Sequence, residues 1–533
     1  MPSDDISSTA AFEQAQSWLH ARTAGHPRCG SNKTSPLPRR VIDVQSFVLN
    51  SPVQLRETKG QRAIYICLSH CWGSLEAAPL KTTTKTYIDR KAHISWSDLP
   101  KTFQDTINLA RQLSIRYVWI DSLCIIQDDP EDWQNEAAAM AVIYSNSYLT
   151  IAAAEARDSR AGLYATSGFT CGFKKLDREK TGLSIDVYAQ RIVPHVNEHN
   201  DFPLLKRAWV YQERILSSRI LYFAGAELNW ECKTERWCEC GGIDSAWCDK
   251  LEVEKKWEEL EEQMLADPNL DSLEIISRRN KHFRFWIELV QGYLRLNLTF
   301  PKDIFPAIQG IAKQVQRISN DVYLAGLWKS SLVEGLSWYW VRSDASGKLK
   351  RRPTEWRAPT WSWASIDGGN YINFACSFHT PPLIDVLDVV CHPSGADTMG
   401  ELESAWLRVS GKFMRMRLSY DADVQDQLPQ QMDFFLDGFG QHMEREEYTE
   451  INIDYAVWEE GRYHVPSGTD VYILPFYQSG HWKVCLLLWR VNEPDGKYER
   501  IGLLMKKYGF LNEYVNEEGV SASCWEECSI TII

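Results

Sequence analysis

The sequence predicts an α/β fold for the amino-terminal half of this 533-residue chain, followed by a helical middle region and a β-rich carboxyl-terminal domain. Residues 65–73 (YICLSHCWG) and 117–129 (YVWIDSLCIIQDD) are apolar runs that end abruptly in polar side chains. Buried parallel strands have this pattern, and they present functional side chains at their carboxyl ends. Beyond residue 400, alternating segments such as DVYILPFY and HWKVCLLLWRV predict the carboxyl-terminal strands.

The elements of the first half follow in strand–helix order. An edge strand is predicted at 41–50 and a buried strand at 63–68, followed by a helix with Thr102 as its N-cap. A strand at 117–120 precedes a second helix, for which Asp128 or Asp129 is the predicted N-cap. Strand, helix, strand implies parallel pairing and an open sheet with helices on both faces.

The length exceeds one ordinary hydrophobic core, so several domains are expected. We predict a lead-in at 1–60, the α/β domain at 61–235, a helical region at 236–345, and a tryptophan-rich seam with the β-rich domain at 346–533. The 22 tryptophans are expected mainly to brace cores and seams, as in RAPTWSWASIDGG at 357–369.

Net charge and cysteine content limit the possible functions and the cellular location of the protein. A net charge of −13 argues against a main role in gripping a nucleic-acid backbone. The amino terminus is acidic and no apolar run follows it, so neither a signal peptide nor membrane insertion is expected. Fourteen cysteines without an export signal indicate reduced thiols and a cytoplasmic location, with the nucleus as the alternative.

The two strand ends place His70, Cys71, Asp121 and Cys124 within reach of one another. A histidine and a carboxylate beside a cysteine could activate a thiolate nucleophile. Neighbours on a strand point to opposite faces, however, so His70 and Cys71 share a site only if the strand has already ended. The alternative for both cysteines is a buried apolar role. Asp121 is expected to act in the site, with a cap or structural hydrogen bond as its alternative.

A cysteine cluster offers a second, weaker candidate. Cys232, Cys238, Cys240 and Cys248 have the spacing C-x5-C-x-C-x7-C, which could close a zinc site, but paired C-x-x-C knuckles are missing. Reduced thiols are the favoured interpretation. Glycine-rich phosphate loops and HExxH are also missing, so no cofactor is expected.

Three segments carry a family resemblance: ICLSHCWG, the run from LPKTFQDTINLARQL to ARDSRAGLY, and RAWVYQERILSSRILYF. Together they resemble the fungal heterokaryon-incompatibility (HET) domain over residues 62–214. The resemblance implies a cytoplasmic protein of non-self recognition and regulated cell death, with a TIR-like, flavodoxin-like open sheet. It also implies a protein partner or self-association through the domain. His70 is a departure, since the family more often has Tyr there.

The resemblance to TIR enzymes suggests one chemistry, in which a glutamate attacks or stabilises the ribosyl centre of NAD. Glu136 or Glu213 could take this part by fold analogy, with NAD as substrate. An ion pair of Glu213 with Arg207 or Arg214 is the favoured structural alternative. A small-molecule ligand would meet the strand ends through seven further residues: Ser69, Trp72, Gly73, Ser122, Gln127, Arg207 and Gln212.

The sequence is therefore compatible with three functions. The first is an incompatibility effector or regulator. The second is an enzyme that performs thiol-mediated acyl transfer or hydrolysis, or cleaves NAD. The third is a non-catalytic interaction module.

Overall fold

The structure is a computed structural model, in which the chain forms two compact units, residues 1–263 and 264–533. It describes residues 5–30, 34–164, 173–175, 188–190, 202–225, 227–241, 249–266, 272–341, 351–367, 371–375, 380–420, 434–438, 441–443, 449–479, 482–491, 496–507 and 526–533.

The first unit has seven described α-helices and twelve described strands. The helices are α1 Thr9–Gly25, α2 Tyr87–Ala92, α3 Lys101–Gln112, α4 Asp121–Cys124, α5 Pro130–Asn146, α6 Ala208–Leu216 and α7 Asp249–Ala266. The strands are β1 Ser35–Pro36, β2 Arg40–Asp43, β3 Gln54–Glu57, β4 Arg62–Ala63, β5 Tyr65–Ser69, β6 Tyr117–Trp119, β7 Leu149–Ala152, β8 Phe173–Lys175, β9 Tyr188–Gln190, β10 Arg219–Phe223, β11 Leu228–Cys232 and β12 Arg236–Cys238.

An eight-stranded mixed sheet organises this unit, in the order β12-β11-β10-β7-β5-β6-β2-β3. The four central strands run parallel, with Cys67 of β5 level with Trp119 of β6 and with Thr150 of β7. Helices α3, α5 and α6 connect them in turn, which confirms the predicted strand–helix alternation. Antiparallel pairs extend both sides of the parallel core.

Two local predictions are wrong. The strand predicted at 41–50 is not an edge strand, because β2 ends at Asp43 and pairs with both β3 and β6. Helix α3 begins at Lys101 with Pro100 as N-cap, and the Thr102 hydroxyl instead accepts a 3.1 Å hydrogen bond from the amide of Gly162. Asp129 is confirmed as the N-cap of α5, since its carboxylate accepts from the amides of Glu131 and Asp132.

The second unit begins with helices and continues with strands. Its helices are α8 Ser272–Leu294, α9 Gln309–Ser319 and α10 Leu332–Gly335. Its strands are β13 Tyr323–Leu324, β14 Leu327–Trp328, β15 Trp338–Trp340, β16 Ile372–Phe374, β17 Asp385–Pro393, β18 Leu402–Tyr420, β19 Phe434–Gly438, β20 Gln441–Met443, β21 Thr449–Ile453, β22 Thr469–Ser479, β23 Trp482–Arg490, β24 Lys497–Lys507 and β25 Glu526–Ile532.

A nine-stranded sheet built on β18, β22, β23 and β24 confirms the β-rich carboxyl-terminal region. Trp361 and Trp363 of the tryptophan-rich segment are fully buried, and the Trp363 indole donates to the Gly326 carbonyl at 2.9 Å. A cavity of about 550 Å³ in this unit is lined in part by Arg352, Arg408 and Glu499. Among the described helices of both units, none has the length and apolarity needed to cross a bilayer.

Candidate functional site

The ends of β5 and β6 meet around Asp121, the first residue of α4. The Trp72 indole donates a 2.7 Å hydrogen bond to Oδ2 of Asp121, and the amide of Ser122 donates to Oδ1 at 2.6 Å. Nδ1 of His70 lies 3.6 Å from the same Oδ1. The Asp121 side chain is 18% exposed, so a carboxylate fixed by two donors still reaches solvent at this edge of the sheet.

Lys81 and Gln127 contact Trp72 and Asp121, respectively. The ammonium of Lys81 lies 4.7 Å from the centre of the Trp72 ring, a cation–π contact. The Gln127 side-chain amide donates to the backbone carbonyl of Asp121 at 3.1 Å. Gln127 therefore shapes the turn around Asp121 rather than facing its carboxylate.

His70 is buried behind Asp121. Its ring packs edge-to-face on Phe103 of α3 with centroids 5.0 Å apart, and within the described residues neither ring nitrogen has a hydrogen-bond partner. Burial lowers the pKa of His70 to about 4, although the charge of Asp121 acts in the opposite direction. His70 is therefore neutral at physiological pH.

Cys71 lies on the other side of the strand. It packs in a cluster with Phe202, Leu204 and Val210, whereas His70 contacts Phe103, so the strand alternation continues past Ser69. Burial raises the pKa of the Cys71 thiol to about 11. The structure therefore does not bring His70 and Cys71 together as a base and its thiol.

Cys124 is also placed in a core. It is fully buried in the main apolar cluster of the first unit, and burial raises the pKa of its thiol to about 12. Its backbone carbonyl accepts a 2.6 Å hydrogen bond from Nε of Arg40. A thiol in this environment stays protonated at neutral pH, which removes the nucleophilic form.

Glu213 of α6 contacts the carboxyl end of β5. Its Oε2 accepts a 2.5 Å hydrogen bond from the hydroxyl of Ser69, the last residue of β5. Burial raises the pKa of Glu213 to about 7, the Ser69 hydrogen bond opposes this, and the charge of Asp121 adds to it. Glu213 can therefore exchange a proton near neutral pH.

The basic residues beside Glu213 have other partners. Arg207, the N-cap of α6, donates to the backbone carbonyl of His70. Arg214 forms a two-point ion pair with Glu231 of β11 at 2.9 and 2.8 Å. The ion pair that fastens α6 to the sheet thus uses Glu231 rather than Glu213.

Of the remaining predicted binding residues, Gly73 and Ser122 have backbone roles. Gly73 has a φ of +78°, and a Cβ there would lie 2.7 Å from Cβ of Asp158. Ser122 is buried, and its carbonyl accepts from the amide of Thr82 at 2.9 Å. Gln212 is buried within α6. Only a residue without a side chain fits the turn at Gly73.

Glu136, the other candidate glutamate, belongs to a separate buried charge group. Arg40 contacts Asp132 at 2.5 Å and Glu136 at 3.3 Å, and all three side chains are buried. Burial raises the pKa of Glu136 to about 7, while Arg40 opposes this shift. The sequence did not point to Arg40, because its partners lie more than ninety positions further along the chain.

The structure separates Cys232 from Cys238 and Cys240, three of the four cysteines considered for zinc. Cys238 and Cys240 lie together, with their sulfurs 3.2 Å apart, and they group with Glu227. Cys232 instead groups with His26 and Cys29, two residues that the sequence did not single out. Cys248 lies outside the described residues.

Comparison with known proteins identifies the strand-end region. Residues 65–213 match the family model described as Heterokaryon incompatibility protein (HET). The chain therefore carries a heterokaryon-incompatibility domain, which confirms the resemblance seen in its motifs. No curated protein and no solved structure matches the chain. All predicted catalytic and binding residues fall within the matched region, whereas Cys232, Cys238 and Cys240 fall outside it.

Proposed function

We propose that this protein acts in heterokaryon incompatibility, as an effector or regulator of non-self recognition and cell death. The observation that carries the proposal is the family match over residues 65–213. This region contains the strand-end group, which we define as Ser69, His70, Trp72, Asp121, Arg207 and Glu213. In this proposal the HET domain is the active module, and it works in the cytoplasm with a protein partner or with a second copy of itself.

The contacts at the strand ends support a role for this group in the module. Trp72 bonds Asp121, Ser69 bonds Glu213, and Arg207 bonds the His70 carbonyl. These bonds tie β5 to α4 on one side and to α6 on the other. A ligand or partner that moved Asp121 at the surface would therefore act on three elements at once.

The parallel strands also support the comparison with TIR domains. Their spatial order is β6-β5-β7-β10, which places the first parallel strand in the chain between the second and the third. Flavodoxin-like sheets have this order, with ligands at the carboxyl ends of the strands where the order reverses. Ser69 and Ala152 are level with each other at that position.

Induced expression of the full chain in a filamentous fungal host tests this function. We expect loss of viability, measured by vital-dye uptake and colony counts, compared with uninduced cells. The variant Arg39→Met is a matched expression control, since the Arg39 side chain is 60% exposed and lies outside the strand-end group. Unchanged viability at verified protein levels, in the presence of genetically distinct fusion partners as well, would contradict the proposal.

A second candidate function is cleavage of the nicotinamide–ribose bond of NAD. The observation that favours it is Glu213, an acid whose pKa of about 7 is set by burial beside the strand-end carboxylate Asp121. In such a reaction the bond between nicotinamide and the ribosyl carbon breaks, a carboxylate stabilises the positive ribosyl centre, and water adds to it. Asp121 is the carboxylate with solvent access, and Glu213 exchanges the proton.

Purified full-length protein incubated with NAD tests this candidate by chromatography of released nicotinamide. We expect Glu213→Gln to lose the activity and Glu136→Gln to retain it, because Glu136 is held by Arg40 away from Asp121's hydrogen bonds. Burial raises the pKa of both glutamates to about 7. A difference between the two variants would therefore reflect the position of the glutamate and not its acidity. Release no faster than from heat-treated protein would exclude this activity.

A further inference from the structure

Three potential metal ligands from distant parts of the first unit meet at one end of the β11–β12 hairpin. His26 directly precedes the short 3-10 helix Pro27–Cys29, Cys29 is the last residue of that helix, and Cys232 is the last residue of β11. One ligand atom from each lies within 4.8 Å of the other two. Cys29 and Cys232 are buried, and the His26 side chain is 9% exposed. The three residues lie outside the region that matches the HET family.

The spacing of these atoms fits a tetrahedral zinc ion. Nδ1 of His26 lies 3.5 Å from Sγ of Cys232. Zinc bonds of about 2.3 Å to sulfur and about 2.0–2.1 Å to nitrogen, at tetrahedral angles, separate those two ligand atoms by about 3.6 Å. The ligand set of two thiolates and one imidazole is also one that zinc prefers.

The surroundings of the three ligands match those of a metal site. Nε2 of His26 lies 3.7 Å from Oε2 of Glu235, which leaves Nδ1 directed at the sulfur. Ligating histidines commonly turn their other nitrogen to a carboxylate in this way. Trp237 donates to the same Oε2 at 2.9 Å, and the amide of Glu235 donates to Sγ of Cys232 at 3.4 Å.

The backbone around the ligands is held by independent contacts. Arg219 donates to the carbonyl of Gly30 at 2.5 Å, and Arg28 pairs with Glu258 of α7 at 2.8 Å. On the hairpin, the amide of Cys232 donates to the carbonyl of Glu235 at 2.9 Å. These contacts fix both segments that carry the ligands, so little ordering is needed when a metal binds.

The neighbouring group of Glu227, Cys238 and Cys240 fits zinc less well. The sulfurs of Cys238 and Cys240 are 3.2 Å apart, whereas two thiolates on one tetrahedral zinc lie about 3.8 Å apart. Oε2 of Glu227 already accepts a 2.9 Å hydrogen bond from the amide of Cys240. This group therefore serves as the comparison site.

We propose that His26, Cys29 and Cys232 bind one zinc ion through Nδ1 and two thiolates, with water as the fourth ligand. Binding displaces the two thiol protons, and the ion joins the segment after α1 to the β11–β12 hairpin. The ion would hold the amino-terminal segment against the β11–β12 hairpin at the edge of the eight-stranded sheet, with the water position left open to exchange. The partly exposed side chains of His26 and Glu235 provide the entry path.

Metal analysis of the purified full-length chain tests this inference. We expect one equivalent of zinc by mass spectrometry, lost in Cys29→Ser and in Cys232→Ser and retained in Cys240→Ser. Replacement by Co²⁺ is expected to give tetrahedral d–d bands with a thiolate charge-transfer band. X-ray absorption of the wild-type zinc protein should show two sulfur neighbours, a measurement that does not depend on any variant folding.

Several outcomes would overturn the proposal. They are a wild-type protein that takes up no zinc after reduction and reconstitution, a Cys29–Cys232 disulfide under reducing purification, and zinc that is lost in Cys240→Ser but retained in Cys29→Ser. A zinc spectrum with four sulfur neighbours would equally exclude this ligand set.

Discussion

The indole of Trp72 and the carboxylate of Asp121 are joined by a 2.7 Å hydrogen bond between the loop after β5 and the start of α4. Both carboxylate oxygens of Asp121 accept a hydrogen bond, one from Trp72 and one from the Ser122 amide, and the side chain is still 18% exposed. The bond directly connects the two motifs that characterise the sequence.

A double-mutant cycle measures this contact. Trp72→Phe removes the donor and Asp121→Ala removes the acceptor, and we expect a coupling of about 1–2 kcal/mol in the free energy of unfolding, because the bond has a charged acceptor. Denaturant unfolding, followed by hydrogen exchange of β5 peptides, reports on the first unit. Additive effects of the two changes would show that the bond contributes nothing to stability.

Arg40 and its neighbour Arg39 give a matched pair for the buried charge group. The Arg40 side chain is 1% exposed and contacts Asp132 and Glu136, whereas the Arg39 side chain is 60% exposed and contacts only the first of these among its described ion-pair partners. Arg40→Met should lower the free energy of unfolding by about 3–5 kcal/mol, because it leaves buried carboxylates uncompensated. Arg39→Met should cost about 1 kcal/mol or less. Equal costs in denaturant unfolding would contradict this account.

Glu213 makes stability depend on pH. Its pKa in the folded protein is raised to about 7 from an ordinary value of 4.5, so between these pH values the folded state holds a proton that the unfolded state has lost. Its contribution to stability is therefore present below pH 4.5 and is lost as pH rises to 7, by up to about 3 kcal/mol. Glu213→Gln should show a smaller decline than the wild type when unfolding is measured across that range, since Glu136 keeps its own raised pKa. Parallel curves for wild type and variant would show that the raised pKa is absent.

The two strand-end thiols are expected to be unreactive in the folded protein. Cys71 and Cys124 are buried, with thiol pKa values raised by burial to about 11 and 12, while Cys528 is partly exposed. Peptide mass spectrometry after alkylation at neutral pH should show Cys528 modified well before Cys71 or Cys124. Rapid selective labelling of Cys71 would instead restore a thiol mechanism at the strand ends.

The sequence predicted those parts of the fold that depend on local pattern. The apolar runs of β5 and β6, the helical spacing of α3 and the capping carboxylate of Asp129 are local, and the structure has the strands, the helix and the cap. The Thr102 prediction is wrong because a tertiary partner, the amide of Gly162, uses its hydroxyl. The edge prediction for β2 is wrong because strand order depends on pairing that no local pattern encodes.

The same distinction between local sequence pattern and tertiary contact applies to the residues of the candidate sites. Asp121 could be selected because a charged residue directly after a buried strand is costly unless it has a role. His26 and Cys29 could not, since their partner Cys232 lies about two hundred residues away and only the folded sheet edge brings them together. Whether His70 and Cys71 share one side of the strand depends on where the strand ends, and only their packing against Phe103 and Phe202 shows that they do not.

The most direct test of the account is the viability of fungal cells that express Asp121→Asn in place of the wild-type chain at equal protein level. We expect wild-type expression to reduce viability and Asp121→Asn to restore it, because the substitution removes the charge that Trp72 and the Ser122 amide orient at the strand ends. A variant that is folded by hydrogen exchange and kills as effectively as the wild type would contradict the claim that this group is part of the active module.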